Sequence, residues 1–480
     1  MRIAIKCGRK AWVGSLVLPL LAALASPAGA DGQEAEIAKR SPAPRRPAVR
    51  STSPPPKGPS EPLPPRNVLL ITLDTTRADH LSCYGYPLLT SPHIDELAAR
   101  GLRLSRTSAV VPLTGPGHAS ILTGLYPRDH GAIRNGVPMA EGVPTLATIL
   151  SSYGYRTAAF VSGWTVRGEI TRLDRGFHVY DDDMTDRYHV VNNQRPGDQT
   201  ADAAIGWLEA NEADPFFLWV HLFDPHAPYR NHGLMLAPNP GGSGSRPSGK
   251  KIAHYDQEIA FADAQIGRLL EALERVGRAE ATLIVLTSDH GEAFGEHGEH
   301  GHGRKLYETT QHVPMILLHP DLGRGRVSNL PASTLDVSPT ILSLLGLAPL
   351  RHGDGVALNE ALQEPAAFSR REIYQETFAG ARKGIWRLFS PRLSGKPLQV
   401  AIRQGDWKAI LTPKSNELKL FDLARDPGES RDLAGEQTVR ADRLRPSLVA
   451  HAAREWRPPA NETVLTEEDR RRLEALGYVD

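Results

Sequence analysis

Three apolar segments of this 480-residue chain each end in acid or histidine. "LLITLD" ends at Asp74, "WVHLFDPH" delivers Asp224 and His226, and "IVLTSDH" delivers Asp289 and His290, with the polar run "GEHGEHGHGRK" (295–305) soon after. One buried strand ending in Asp means little, since such acids also cap helices and close turns. In an open parallel sheet, however, ligands bind beyond the carboxyl ends of the strands. Three such ends and a fourth polar cluster predict a shared hydrolytic metal site. Carboxylate oxygen and neutral imidazole suit Mg, Mn, Ca or Zn, and the residues do not choose among them.

A second candidate lies in "VVPLTGPGHASILTGLYPRDHG" (110–131). Thr114 precedes a turn expected over Gly115, Pro116 and Gly117, with a helix expected to begin near His118. An oxygen at a helix N-terminus sits at the positive end of the backbone dipole, which favours an alkoxide or an oxyanion. The ordinary alternative for such a threonine is a helix cap.

These residues need a scaffold that brings them to one edge. "NVLLITL" (67–73), "RTAAFV" (156–161), "FFLWVHL" (216–222), "TLIVLTS" (282–288) and "VPMILLH" (313–319) read as buried strands. Between them, "HIDELAARG", "PTLATILSSYG", "TADAAIGWLEAN" and "KIAHYDQEIAFADAQIGRLLEALERVG" carry helical spacing. The alternation predicts an α/β fold with a mostly parallel central sheet covered by helices on both faces. After about residue 365 short strand-like runs with turns predict a smaller α+β subdomain with an antiparallel sheet, and "LTEEDRRRLEALGYVD" reads as a closing helix. The loop "APNPGGSGSRPSGKK" (237–251) reads as a surface insertion or a lid over the site.

Composition narrows the classes. Lys plus Arg, 56, nearly cancels Asp plus Glu, 55, so a nucleic-acid partner is not expected. Arg2, Lys6, Arg9 and Lys10, then "AWVGSLVLPLLAALA", then Ala28-Gly29-Ala30 have the order of an export signal cleaved after Ala30. That apolar run is short for a membrane span, and no other segment suits one, so a secreted or periplasmic protein is expected, with an N-terminal anchor as the alternative. Ten prolines between Ser41 and Pro65 read as a tether. The expected organisation is a signal over 1–30, a Pro-rich linker over 31–66, a catalytic domain over 67–365 and a C-terminal subdomain over 366–480. Only Cys7 and Cys83 occur; Cys7 would leave with the signal, and Cys83 reads as a small buried residue.

The chain resembles the sulfatase family of the alkaline phosphatase superfamily. The resemblance rests on "NVLLITLDTTRADHLSCYGY", "GHASILTGLYPRDHG", "DPHAPY", "TSDHGEAFGEHGEHGHGRKLYE", "STLDVSPTILSLLGL" and "GDWKAIL…LKLFDLARDPGE". It implies one divalent metal held by Asp74, Thr114, Asp289 and His290, with Thr75 standing where many sulfatases have a second Asp. It implies substrate contacts at His226, Lys305 and Asn135, and places His118 where sulfatases carry an Arg beside the nucleophile. His302 lies in a Gly-rich loop able to fold over the site, and Asp224, His226 and His302 are a candidate set for a second metal.

The departure is at Thr114. Sulfatases use C-x-P-x-R or S-x-P-x-R, whose Cys or Ser is oxidised to formylglycine; here the motif is T-x-P-x-H. Oxidised threonine would be a ketone, which hydrates poorly, whereas a threonine alkoxide is a competent nucleophile toward phosphorus. The resemblance therefore implies an exported hydrolase or transferase acting on a phosphate or phosphodiester group of a small molecule, glycan or lipid-linked ester. A sulfatase without formylglycine and an inactive binding protein of the same fold are the alternatives.

Overall fold

A computed structural model describes residues 67–184, 194–211, 215–244, 248–350, 353–378, 395–460 and 471. The expected export signal, the tether and most of the C-terminal helix lie outside the described residues. The first strand, β1 (Asn67–Leu73), is buried along its whole length and sits mid-sheet. Its alternate side chains serve two cores. Val68 and Leu70 join one cluster, while Leu69, Ile71 and Leu73 join the other.

The remaining strands of this sheet are β2 (Leu102–Ser108), β3 (Arg156–Val161), β4 (Val179–Asp181), β5 (Phe216–Leu222) and β6 (Thr282–Ser288), then, after the small hairpin of β7 (Ala293–Phe294) and β8 (His300–Gly301), β9 (His312–Leu318), β10 (Arg326–Ser328) and β11 (Ala332–Ser333). Their order is β10-β2-β9-β6-β1-β5-β3-β4, with β11 alongside β2. Three helices, α1 (Pro92–Arg100), α2 (Thr114–Thr123) and α3 (Leu146–Ser152), follow in chain order, then α4 (Gly197–Ala210), α5 (Lys250–Arg275) and α6 (Val337–Leu344). Residues of α2, α3 and α6 pack with Val68 and Leu70, whereas α1, α4 and α5 cover the opposite face.

Register positions the chemistry. Leu73 of β1 lies opposite Leu222 of β5 and Ser288 of β6, all parallel, so the next residues, Asp74, Phe223 and Asp289, emerge level at one edge. β9 runs antiparallel to both β6 and β2, unlike its neighbours. It therefore starts at the edge where β6 ends. Residues 289–311 connect the two without a crossover and stay over that edge, which is how the His/Glu/Gly-rich run comes to lie there.

A meander of β12 (Glu372–Phe378), β13 (Pro397–Gln404), β14 (Trp407–Thr412) and β15 (Glu417–Asp422) forms the antiparallel sheet, covered by α7 (Thr438–Ala452) through Leu444 and Leu448. Both sheets belong to one compact unit, Pro62–Asp480. Their junction combines apolar packing, Leu306 and Tyr307 against Ala401, Ile410 and Phe421, with a buried ion pair. Arg128, 1% exposed, pairs with Glu376 at 2.7 Å and also donates to the carbonyls of His451, Ala452 and Arg454. The 237–251 loop is held against residues 82–89: Asn239 Nδ2 donates to Ser82 O and Tyr86 O, and Ser243 N donates to Gly85 O.

Removing one partner of a buried ion pair leaves the other charged and unpaired, at a cost of about 3–5 kcal/mol. Glu376→Ala should therefore lower the unfolding free energy, read by denaturant titration, by an amount of that order. An unfolding free energy within about 0.5 kcal/mol of wild type would show that the Arg128–Glu376 pair is not what holds the junction.

Candidate active site

Asp74 follows β1 and is fully buried, and neither carboxylate oxygen has a hydrogen-bond donor. Asp289 follows β6; its Oδ1 accepts from the backbone N–H of Thr75 (3.1 Å) and of His290 (2.8 Å), but its Oδ2 has no donor. Ligand atoms of Asp74, Asp289 and His290 lie within 4.8 Å of one another. Burial first, then repulsion from Asp289 and Glu292, raises the Asp74 pKa, with the nearby Thr114 hydroxyl opposing the rise. Burial likewise pushes Asp289 up to about 6. Two carboxylates with undonated oxygens in one dry pocket form a site that a divalent cation would neutralise, so the residues fit the implied metal.

The histidine of this group is prepared for the same task. His290 Nδ1–H donates to the Gly291 carbonyl at 3.0 Å, so in the neutral ring Nε2 carries the lone pair. Burial lowers the His290 pKa to about 3 and keeps the ring neutral. Nε2 lies 3.4 Å from Asp289 Oδ2 and 3.4 Å from Thr114 Oγ1.

Thr114 is the first residue of α2, whose N-cap is Leu113, so the helix begins four residues earlier than its sequence suggests. Gly115, Pro116 and Gly117 form the first helical turn, where a proline is tolerated because no intrahelical donor is needed. Consequently the Thr114 hydroxyl is not a cap and faces the carboxylates. Two glycines let it do so. A Cβ on Gly117 would sit 3.2 Å from Asp289 Cβ, and one on Gly115 would sit 3.0 Å from Thr165 O. Asn135 Oδ1 accepts from Gly115 N–H at 2.8 Å, which fixes the amide and leaves Nδ2 buried without a partner beside the turn.

The other expected residues divide. His118 is buried behind Thr114, with Nδ1 on the Thr114 carbonyl (2.8 Å) and Nε2 on Thr72 Oγ1 (3.0 Å); both nitrogens are engaged within the protein. His226 and His302 come together with ring centroids 5.3 Å apart, and His302 in turn lies 4.4 Å from the His290 ring. His226 Nδ1–H donates to Ala227 O at 2.6 Å, so the neutral ring has no second N–H for an ester oxygen. Burial and His302 lower its pKa to about 3. Lys305 turns its Nζ to the His297 carbonyl. Asp224 Oδ1 accepts from Gly197 N–H at the start of α4 (2.9 Å), while its Oδ2 is buried without a donor. Thr75 has a left-handed backbone (φ 47°) and donates its hydroxyl to Pro225 O at 2.9 Å, so it offers nothing in place of a second carboxylate.

Several site residues were not foreseen. Glu292 is buried between His302 Nδ1 (3.2 Å) and the Tyr229 hydroxyl (2.9 Å). His221 Nε2 lies 3.4 Å from Asp74 Oδ2. Its signal was present as one imidazole inside the otherwise apolar "FFLWVHL". Trp164 Nε1 and Thr165 Oγ1, buried without partners, follow β3 and carry no such signal.

The sulfatase family model matches residues 66–347. An N-acetylglucosamine-6-O-sulfatase of Bacteroides thetaiotaomicron is 25% identical, covering 85% of this chain and 90% of the relative. The multifunctional alkaline phosphatase superfamily protein PehA of Trinickia caryophylli is also 25% identical, covering 78% of this chain and 92% of its own. The crystal structure of a phosphonate monoester hydrolase of Agrobacterium radiobacter superposes with a TM-score of 0.63 at 25% identity, covering 81% of this chain and 96% of that one.

The raised Asp289 carboxyl makes a prediction whose sign can be worked out. A folded-state pKa of about 6 against an ordinary 3.8 stabilises the metal-free protein below the lower value and loses that contribution as pH rises through about 6. Chelator-treated Asp289→Asn should then melt higher than chelator-treated wild type at pH 7, while added Mn or Zn should raise the Tm of wild type only. A variant that still binds one equivalent of cation, by elemental analysis, would remove Asp289 from the site.

Proposed function

The chain belongs to the sulfatase family, and from that premise we propose that it is an exported, metal-dependent ester hydrolase or transferase that attacks a phosphate or phosphodiester group through Thr114. The observation that carries this reading is the placement of the Thr114 hydroxyl, first in its helix, uncommitted to capping, and within 3.4 Å of His290 Nε2. A divalent cation held by Asp74, Thr114, Asp289 and His290 would lower the hydroxyl pKa and offset the charge on the ester. Mn or Zn suits the imidazole-containing set better than an all-oxygen shell would.

The protein's own groups would do the rest. Thr114 Oγ has an acceptor for its proton in the Asp74 carboxylate, since His290 Nε2 would be spent on the cation. It would form a bond to phosphorus as the bond to the leaving alcohol oxygen breaks; water or an acceptor hydroxyl would then attack the same phosphorus, breaking the Thr114 Oγ–P bond and returning the threonine hydroxyl. Asn135 Nδ2, held by its own Oδ1, is a fixed donor for a non-bridging oxygen. His226, His302 and Lys305 would bind the remainder of the anion. His226 can donate to the leaving oxygen only after taking up a proton, which an arriving anionic ester would favour. His118 would act by holding the start of α2, since neither nitrogen faces the ester.

Among the described residues no helix is long and apolar enough to cross a membrane. Export, cleavage after Ala30 and the division into 67–365 and 366–480 belong to the same proposal, with a small-molecule, glycan or lipid-linked ester as substrate. The sulfatases among the relatives keep sulfate esters as the second reading.

With the Mn- or Zn-loaded protein, Thr114→Ser should retain measurable phosphodiesterase activity, while Thr114→Ala should lose about 10³-fold or more in kcat/KM. Faster turnover of aryl sulfates than of phosphoesters would favour the sulfatase reading. Equal phosphoesterase activity in wild type and Thr114→Ala would refute the nucleophile.

A further inference from the structure

The stretch from Arg230 to Tyr255, which follows "DPHAPY", is used by neither the cation site nor the proposed chemistry. It carries Arg230, Arg246, Lys250 and Lys251 and no aspartate or glutamate, in a chain whose acids and bases otherwise nearly cancel. Within it lies the apolar run "GLMLAP" (233–238). Met235 is 98% exposed and Leu234 43%. A single apolar side chain in solvent is ordinary. Among the described residues, however, these two are the only consecutive pair of large apolar side chains that both stand out in water.

The loop does not expose them by being slack. Before them, His232 Nε2 pairs with Glu258 Oε2 at 2.7 Å, and the His232 ring stacks on Phe261 with centroids 4.4 Å apart. Leu234 N–H itself donates to Gln257 Oε1 at 3.2 Å. After them, Ala237 O accepts from Leu89 N–H at 2.8 Å, and Asn239 Nδ2 donates to the carbonyls of Ser82 and Tyr86 at 3.0 and 2.7 Å. A tip tied on both sides holds its apolar side chains in water against their transfer free energy.

Cations lie beside this tip. Gln257 is on α5, and Lys250 stands seven residues earlier, two turns along the same helix face. Lys250 and its neighbour Lys251 are both exposed. An apolar tip beside lysines suits a bilayer surface: the apolar atoms enter the boundary between headgroups and acyl chains, and the ammonium groups meet the phosphates. A protein partner needs more. A stable interface covers about 800 Å² on each side around an apolar core, which two side chains on one loop do not offer.

We propose that residues 233–237, with Lys250 and Lys251, dock the protein on an anionic lipid surface. Leu234 is eight residues beyond His226 at the site, a span of at most about 29 Å. Docking there brings the site to a source of lipid-linked phosphate ester, and this consequence alone rests on the function proposed above.

The test is sedimentation of the full chain with phosphatidylcholine vesicles, with and without phosphatidylglycerol. Beside it run a Leu234→Asp/Met235→Asp double variant and a Lys250→Glu/Lys251→Glu double variant. Wild type should bind the anionic vesicles about tenfold or more tightly than the zwitterionic ones, and each variant should weaken that binding by about tenfold or more. These side chains are exposed, and a wild-type melting temperature checks that the variants fold. Met235→Trp separates this contact from attachment through the N-terminal apolar run: brominated lipid should quench the fluorescence that this substitution adds. Absence of wild-type binding, binding that both variants leave unchanged, or unquenched fluorescence at position 235 in the bound protein would overturn the proposal. So would emission from Met235→Trp that moves to the blue with protein concentration in the absence of lipid, which would assign the tip to a second copy of the chain. Loss of docking with turnover of a soluble phosphodiester intact would leave the proposed function standing. Docking without such turnover in wild type would overturn the function alone.

Discussion

Asp74 and Asp289 are pressed together in a pocket that excludes water, and three of their four oxygens find no donor. Left to themselves they would raise each other's pKa and weaken the fold. Neutral rings surround them, since burial keeps His118, His221, His226, His290 and His302 from taking up charge. Unrelieved carboxylate repulsion with only uncharged imidazole nearby is the condition that a cation relieves. Thr114, the ordered tautomers and the glycines of α2 are all arranged about that point.

The architecture tolerates this strained centre because the strands beneath it are rigid. β1, β5 and β6 are buried on both faces and level at their ends, so the acids have little freedom to separate. The antiparallel β9 keeps residues 289–311 above the same edge, bringing Glu292 and His302 to the site. The C-terminal sheet is joined to the rest through Arg128 and Glu376, and Thr377 Oγ1 reaches the Gly303 carbonyl in the loop beside His302.

Much of this was legible in the residues. The five apolar runs became strands because a parallel sheet buried on both faces needs near-continuous hydrophobic segments, and the acids that end three of them betray the edge. The strand direction of β9 was not legible, since an apolar run reads the same either way. The start of α2 was missed because Gly and Pro signal a turn, although both are acceptable in a first helical turn. His221 was hidden by its strand, where alternation predicts a core side chain and says nothing of its approach to Asp74.

The central claim is that Thr114 bonds to phosphorus. Mass spectrometry of the Mn- or Zn-loaded protein, quenched within the first turnover of a phosphodiester, tests it most directly. The account predicts a phosphate-bearing mass increase on the peptide containing Thr114, absent from Thr114→Ala. Turnover at full rate with no adduct on that peptide at any quench time, and with the adduct-free peptide fully recovered, would contradict it.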